Sequence, residues 1–154
     1  MIVKCTGNSA RHLTTAEAVE RFNRNTNLEQ VHLEIGSIYL VFGIAFRKGR
    51  PWYLICEEEG DEYPKPHLSD FFQVIDSRLP PDWSFRASKN NAGDVSVLPT
   101  PWAQDPSFLE KLVDEHTDAL AFFEKLKADL AEWHRIQPAT PTTRNDNPLR
   151  AKGR

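Results

Sequence analysis

A hydrophobic hairpin in the first half of the chain is the feature that most limits how this sequence can fold. Residues 38–46 are almost entirely apolar, and residues 52–57 begin with Trp, Tyr, Leu, Ile and Cys. Between them, residues 47–50 have the sequence Arg-Lys-Gly-Arg, which is typical of a tight, solvated turn. These patterns predict a central strand over 38–46, covered on both faces, with an antiparallel partner over 52–57.

A block of carboxylates follows the hairpin directly. It surrounds Gly60 and consists of Glu57, Glu58, Glu59, Asp61 and Glu62. Such a block can face a basic groove on a partner, for example the substrate channel of a nuclease toxin, because charge complementarity speeds and orients docking. It can equally be a solvated turn that keeps a strand edge from aggregating. The spacing lacks the alternating ligands of a calcium loop, so the sequence predicts no metal site here.

Trp52 is a second candidate for partner binding, and its role depends on the face of the strand that it occupies. If Tyr53 and Ile55 face the core, Trp52 and Leu54 face the opposite side, because side chains alternate along a strand. The predicted C-terminal helices could cover Trp52 there. Without that cover, Trp52 would be an exposed aromatic anchor of the kind found at binding hot spots.

Shorter elements around the hairpin predict a small antiparallel barrel. A capping box from Thr14 to Glu17 predicts a short helix between the first two strands. The prolines of residues 63–66 restrict that segment to an edge strand or a connector. Five or six short strands separated by such turns favour a strongly curved, SH3-like barrel. The strands predicted outside the hairpin are 2–6, 31–35, 71–76 and 83–86.

The chain becomes helical after a polar loop. Asp105 and Pro106 have the N-cap and first-position residues of a helix that should run to about Val113. A second helix is predicted from Thr117, because apolar residues recur there every three or four positions. These residues are Leu120, Phe123, Leu126, Leu130 and Trp133.

Length and charge limit the class of protein. With 154 residues, 40% of them hydrophobic, the chain is long enough for one domain with its own core. The predicted organisation is α+β: a β-barrel over 1–87, a helical hairpin packed on it over 88–136, and a flexible basic tail over 137–154. The tail holds four basic residues and Asp146, so residues 1–136 carry a net charge of −6 although the whole chain carries only −3. An acidic body argues against broad nucleic-acid binding, which depends on a basic surface.

The N-terminal residues and the cysteines indicate the compartment. The segment from Met1 to Cys5 lacks the apolar run and cleavage site of a signal peptide, and no stretch approaches the roughly 18 apolar residues that span a membrane. We therefore expect a cytoplasmic protein without a membrane partner. Cys5 and Cys56 lie in predicted strands, and a disulfide would require those strands to be neighbours. A reducing cytoplasm favours two buried thiols instead.

No group of residues has the pattern of a catalytic or metal site. The histidines are dispersed, and no pair has the spacing of a zinc-binding helix. Cys56, His67 and Asp70 have the residue types of a nucleophile, a base and an orienting group. The carboxylates beside Cys56 should raise its thiol pKa and make it a poor nucleophile. The sequence therefore predicts no catalytic residue, no cofactor and no metal.

Several short motifs occur in an order that resembles a group of small uncharacterised bacterial and phage proteins. The resemblance covers about residues 2–76, and it implies an SH3-like barrel. This chain departs from the group by the helix inserted near residues 15–22 and by the helices after residue 104. The motifs are VKCTGNS at 3–9, IGSIYLV at 35–41, WYLIC at 52–56, YP at 63–64 and FQVID at 72–76.

The resemblance also implies a class of function. Small accessory proteins that combine a barrel with helices often serve as immunity or antitoxin proteins in bacterial conflict systems. The leading hypothesis is a non-enzymatic bacterial immunity protein that binds and neutralises a cognate toxin through residues 57–62 and Trp52. The alternative is a nucleic-acid-associated SH3-like adaptor that uses Arg47, Lys48, Arg50 and the basic tail.

Overall fold

The structure is a computed structural model that describes residues 1–26, 29–88 and 91–136. Within these residues the chain folds as an α+β protein with two antiparallel sheets and four α-helices. The predicted flexible tail over 137–154 lies outside the described residues.

Eight strands and four helices follow one another along the described chain. The strands are β1 (Ile2–Cys5), β2 (Ile38–Leu40), β3 (Gly43–Arg47), β4 (Arg50–Ile55), β5 (Lys65–Leu68), β6 (Phe72–Asp76), β7 (Trp83–Ala87) and β8 (Val95–Pro99). The helices are α1 (Ala16–Asn25), α2 (Thr100–Gln104), α3 (Phe108–Val113) and α4 (Thr117–Ile136), and short 3₁₀ turns lie at Ala10–His12 and Ser69–Phe71. The first sheet has the order β2-β1-β6, and the second has the order β5-β4-β3-β8-β7.

The strands do not form the closed barrel that the sequence predicts. The apolar run 38–46 is divided at Val41 and Phe42, so that β2 belongs to the first sheet and β3 to the second. The backbone N–H of Val41 donates to the Met1 carbonyl oxygen, whereas that of Phe42 donates to the Leu54 carbonyl oxygen. Two consecutive residues thus bond to different sheets, and one long apolar run serves both.

The predicted hairpin itself is confirmed. β3 and β4 pair antiparallel, with Arg47 opposite Arg50. Lys48 and Gly49 have φ angles of 51° and 73°, as a two-residue turn between twisted strands requires. β5, which contains Pro66, is an edge strand of the second sheet, as its prolines predict.

Two other segments differ from the prediction. Residues 31–35 alternate in polarity but form no strand, because their hydrogen bonds go to the loop after β1. The Val31 N–H donates to the Asn8 carbonyl oxygen at 2.8 Å, and the Asn8 side chain donates to the Leu33 carbonyl oxygen at 2.9 Å. The N-cap of α1 is Thr15, one residue after the predicted Thr14, and its hydroxyl accepts from the Ala18 N–H.

The second sheet extends past residue 87, the predicted end of the barrel. β8 follows the polar loop and pairs with both β7 and β3, and α2 follows β8 immediately. Neither element was predicted, because the apolar run Val95–Pro99 is short and ends in proline. β8 brings the C-terminal helices onto the second sheet.

Two hydrophobic clusters cover the second sheet. One contains Ile44, Trp52 and Val97 together with Phe22 of α1 and residues of the first sheet. The other contains Phe42, Leu54 and Leu98 together with residues of the three C-terminal helices. Of the predicted apolar stripe on α4, three side chains are buried in this second cluster: Phe123, Leu126 and Leu130.

A buried charged network joins the end of α4 to the first sheet. His134 Nδ1 lies 3.1 Å from Asp76 Oδ2, and the Arg78 guanidinium binds the same carboxylate. The Met1 amino group lies 2.9 Å from His134 Nε2. The Arg78 contact, helped by His134, holds the pKa of Asp76 well below its usual range, so the buried carboxylate is charged and paired. Breaking such a pair leaves an uncompensated buried charge, which makes the network a strong attachment for α4.

Gly43→Ala should lower the free energy of unfolding by about 1–3 kcal/mol, because β3 has no room for a side chain there. An added Cβ would lie 2.5 Å from Leu98 Cδ2 and 2.8 Å from Leu54 Cδ1, and both leucines are buried in the cluster beneath the helices. Urea denaturation followed by circular dichroism measures the loss. Gly60→Ala is the control, since its Cβ would meet no atom within 4 Å and should change stability by less than about 0.5 kcal/mol. Equal effects of the two substitutions would contradict the expected steric conflict.

Candidate functional site

The acidic turn, residues 57–62, connects β4 to β5 and is held by its own aspartate. Asp61 Oδ2 accepts the backbone N–H of Glu57 at 2.8 Å and that of Glu58 at 3.1 Å. The Asp61 N–H donates to the Glu58 carbonyl oxygen at 3.2 Å. Asp61 therefore acts as an internal cap of the turn, as short aspartate side chains commonly do.

Glu57 points into the protein. Only 8% of its side chain is exposed, and Oε2 lies 2.6 Å from Lys65 Nζ on the adjacent strand. Its Oε1 lies 3.4 Å from Nε2 of His67, whose side chain is 4% exposed. The Glu57 hydrogen bond raises the pKa of Lys65, which keeps the lysine charged beside this carboxylate.

His67 is neutral at pH 7 in this setting. Burial lowers its pKa to about 4, and the nearby Glu57 carboxylate offsets only part of that effect. A neutral imidazole next to an already paired carboxylate adds no charge to the turn. His67 lies in β5 opposite Tyr53.

Three carboxylates of the turn remain at the surface. Glu58, Glu59 and Glu62 are exposed, and we call these three residues the acidic edge. The turn that carries them is braced by α4, because Lys127 Nζ donates to the Asp61 carbonyl oxygen at 3.1 Å. Lys127 also pairs with Glu124 at 2.5 Å, so its charge is balanced by a carboxylate of α4.

Trp52 is only 6% exposed, and it lines a cavity of about 180 Å³ together with Glu57 of the acidic turn. It belongs to the same cluster as Phe22 of α1, and the Arg47 guanidinium lies 5.2 Å from the centre of its ring. Leu54 packs with the C-terminal helices, whereas Trp52 packs in the other cluster. The structure therefore brings Trp52 together with the inward-facing Glu57, whereas the acidic edge does not line their cavity.

The two cysteines are free thiols in different sheets. Cys5 ends β1, and Cys56 follows β4. Burial, reinforced by the Asp61 carboxylate, raises the pKa of Cys56 to about 12, so it is protonated at neutral pH. The predicted rise is confirmed, although burial contributes more than the carboxylates on which the prediction rested.

Comparisons with protein-family models, curated proteins and solved structures found no match. In the part of the chain that the structure describes, no three His, Cys, Asp or Glu side chains are grouped so that they could hold a metal ion. No helix among residues 1–26, 29–88 and 91–136 combines the length and the apolar character needed to cross a membrane.

The free energy of unfolding should fall by about 3 kcal/mol between pH 6.5 and pH 4 because of His67. Its folded pKa of about 4 lies below the unfolded value of 6.5, so the unfolded chain takes up a proton first as the pH falls. This contribution is complete above pH 6.5 and is lost towards pH 4. His134, whose pKa is lowered mainly by burial, contributes with the same sign.

Urea denaturation from pH 7 to pH 4 measures this dependence. His67→Gln should flatten the decline, while the exposed His116→Gln should retain it. An NMR titration in which the His67 ring proton titrates near pH 6.5 would contradict the assignment.

Proposed function

We propose that this protein is a non-enzymatic bacterial interaction protein that binds a basic surface of a partner protein through the acidic edge. In its most concrete form it is a cytoplasmic immunity protein that covers the basic site of a cognate toxin. The observation that carries the proposal is the internal fixation of the turn. The Asp61 carboxylate accepts the backbone N–H groups of Glu57 and Glu58, and the Glu57 carboxylate pairs with Lys65. These contacts hold the backbone that carries the exposed Glu58, Glu59 and Glu62.

Fixed carboxylates favour binding for two physical reasons. A turn that is already ordered loses little conformational entropy when a partner docks. The three charges also add to the net negative charge of residues 1–136, which steers a basic partner toward the protein. Both effects act on association without any catalytic group.

The edge strands of the first sheet support a protein partner as well. β2 and β6 expose large apolar side chains, namely Ile38, Val74 and Ile75. Exposed apolar residues beside unpaired strand edges are typical of surfaces that other proteins cover.

The SH3-like relationship is part of the same proposal. The chain passes from the first sheet to the second at Val41 and Phe42. Strands that bend from one packed sheet into the other form the corners of small barrels and sandwiches in the same way. The motifs at 3–9 and 35–41 include β1 and β2 of the first sheet, and the motif at 52–56 lies in and after β4 of the second. This placement is what supports an SH3-like arrangement of these strands as part of the proposal.

The nucleic-acid alternative loses part of its basis. Arg50 pairs with Glu17 at 2.6 Å, so of the predicted basic turn only Arg47 and Lys48 form no ion pair within the described residues. The tail that the alternative also needs lies outside them. The acidic edge is therefore the better supported interaction surface for a macromolecule.

Reversing the charge of the acidic edge tests the proposal. The triple variant Glu58→Lys, Glu59→Lys, Glu62→Lys should bind the product of the adjacent gene at least about 10-fold more weakly, mainly through slower association. Surface plasmon resonance at two salt concentrations measures the effect, and growth of cells that co-express both genes reports neutralisation.

The matched control reverses three exposed acidic residues elsewhere, Glu110, Asp114 and Glu115. It has the same net charge and should bind within about 2-fold of the unaltered protein. Urea denaturation of both variants confirms that they fold, since neither touches Asp61 or Glu57. Unchanged binding of the acidic-edge variant would refute the proposal.

A further inference from the structure

Two cavities flank the side chain of Arg47 at the turn end of the β3–β4 hairpin. The larger, of about 640 Å³, lies between β3, the β7–β8 hairpin and α2, and we call it the basic cavity. The smaller, of about 470 Å³, lies between the turn and α1. Both are lined by Arg47, Asn91 and Asp94.

Cations dominate the charged groups that line these cavities. They are Arg21, Arg24, Arg47, Lys48 and Arg86, and Asp94 is the one carboxylate among the described lining residues. Arg21 and Arg24 are neutralised by carboxylates of α1 and of the turn before β6, namely Glu17, Asp70 and Glu20. The other three cations form no ion pair within the described residues.

Arg86 is the most constrained of the three. It is half-buried, and its Nη1 donates to the carbonyl oxygens of Trp102 and Asp105, each at 3.3 Å. The Asp105 carboxylate itself pairs with Lys111 at 2.7 Å. The guanidinium is thus held at the end of α2 by carbonyl oxygens, and the Asp105 carboxylate lies close enough to attract it. Most of its five N–H donors remain for another group.

Arg47 lines the basic cavity from β3, whereas Arg86 lines it from β7. Its guanidinium lies over the ring of the buried Trp52, and this cation–π contact restricts where the side chain can go. Arg47 is exposed and Arg86 half-buried, and neither forms an ion pair within the described residues, so an anion between them would supply the counter-charge. Planar guanidinium groups match the oxygens of phosphate especially well.

The rest of the lining indicates what accompanies the anion. Phe46, Ala103 and Pro106 provide apolar wall, whereas Ser96 and Gln104 can form hydrogen bonds. A volume of about 640 Å³ falls in the usual range of small-molecule sites. We propose that the basic cavity binds a phosphate-bearing ligand of the nucleotide class, with Arg47 and Arg86 on the phosphate and the base against Ala103 and Pro106.

This site is independent of the proposed function. The basic cavity and the acidic edge lie at opposite ends of β4, about 20 Å apart for six residues of strand. Substitutions at one end leave the other unaltered, so the two proposals stand or fall separately.

Titration calorimetry at about 50 mM salt tests the proposal with three probes: inorganic phosphate, AMP and a 12-nucleotide oligouridylate. AMP or the oligonucleotide should bind, and phosphate should compete. Arg47→Gln and Arg86→Gln should each weaken binding at least about 10-fold, and Arg86→Lys should recover only part of the loss because an ammonium lacks the planar fork. Since Arg86 also contacts α2, the exposed Arg47 provides the variant least able to disturb folding.

The control is Arg135→Gln, which removes the same charge from an exposed residue of α4 that pairs with Glu132. It should bind within about 2-fold of the unaltered protein. Tighter binding of AMP than of phosphate assigns a free nucleotide, and binding of the oligonucleotide alone assigns a nucleic-acid strand; both support the phosphate site. Binding of none of the probes, or equal losses in Arg135→Gln and in the two cavity variants, would overturn it.

Discussion

Burial of β3 on both faces is the constraint on which the rest of the structure depends. Its neighbours in the sheet send Leu54 and Leu98 to one side and Val97 to the other, and at Gly43 the two leucines leave no space for a side chain. A sheet that is apolar on both faces must be covered twice. The first sheet and α1 provide one cover, and the C-terminal helices provide the other.

This double cover leaves the two ends of the β3–β4 hairpin as its accessible parts, and the ends carry opposite charge. At the acidic end, the Asp61 carboxylate and Lys127 of α4 hold the backbone. At the basic end, Lys48 adopts a left-handed conformation, and its N–H donates to Asp94 at 3.0 Å. Each end is therefore ordered without a ligand, which is the condition for binding at low entropic cost.

The sequence was informative where the local pattern alone decides the structure. The turn at 47–50, the edge position of β5 and the long helix α4 follow from glycine, proline and a helical apolar period. Pairing between distant segments could not be derived. Residues 31–35 have the alternation of a strand, yet the loop after β1 supplies their hydrogen bonds one by one. The division of residues 38–46 between two sheets could not be predicted either, because both halves of the run are apolar.

Because pairing between distant segments cannot be read from the sequence, the charges counted along the chain differ from the charges that each candidate site exposes. The β4–β5 register places Lys65 opposite Ile55 and His67 opposite Tyr53, so Glu57 meets both side chains and leaves the surface. The alternating pattern of residues 83–86 predicts a strand but not the contacts of Arg86, whose guanidinium donates to two carbonyl oxygens at the end of α2. What a partner or ligand meets is the charge left after internal pairing. That remainder depends on register and helix placement, which only the folded chain determines.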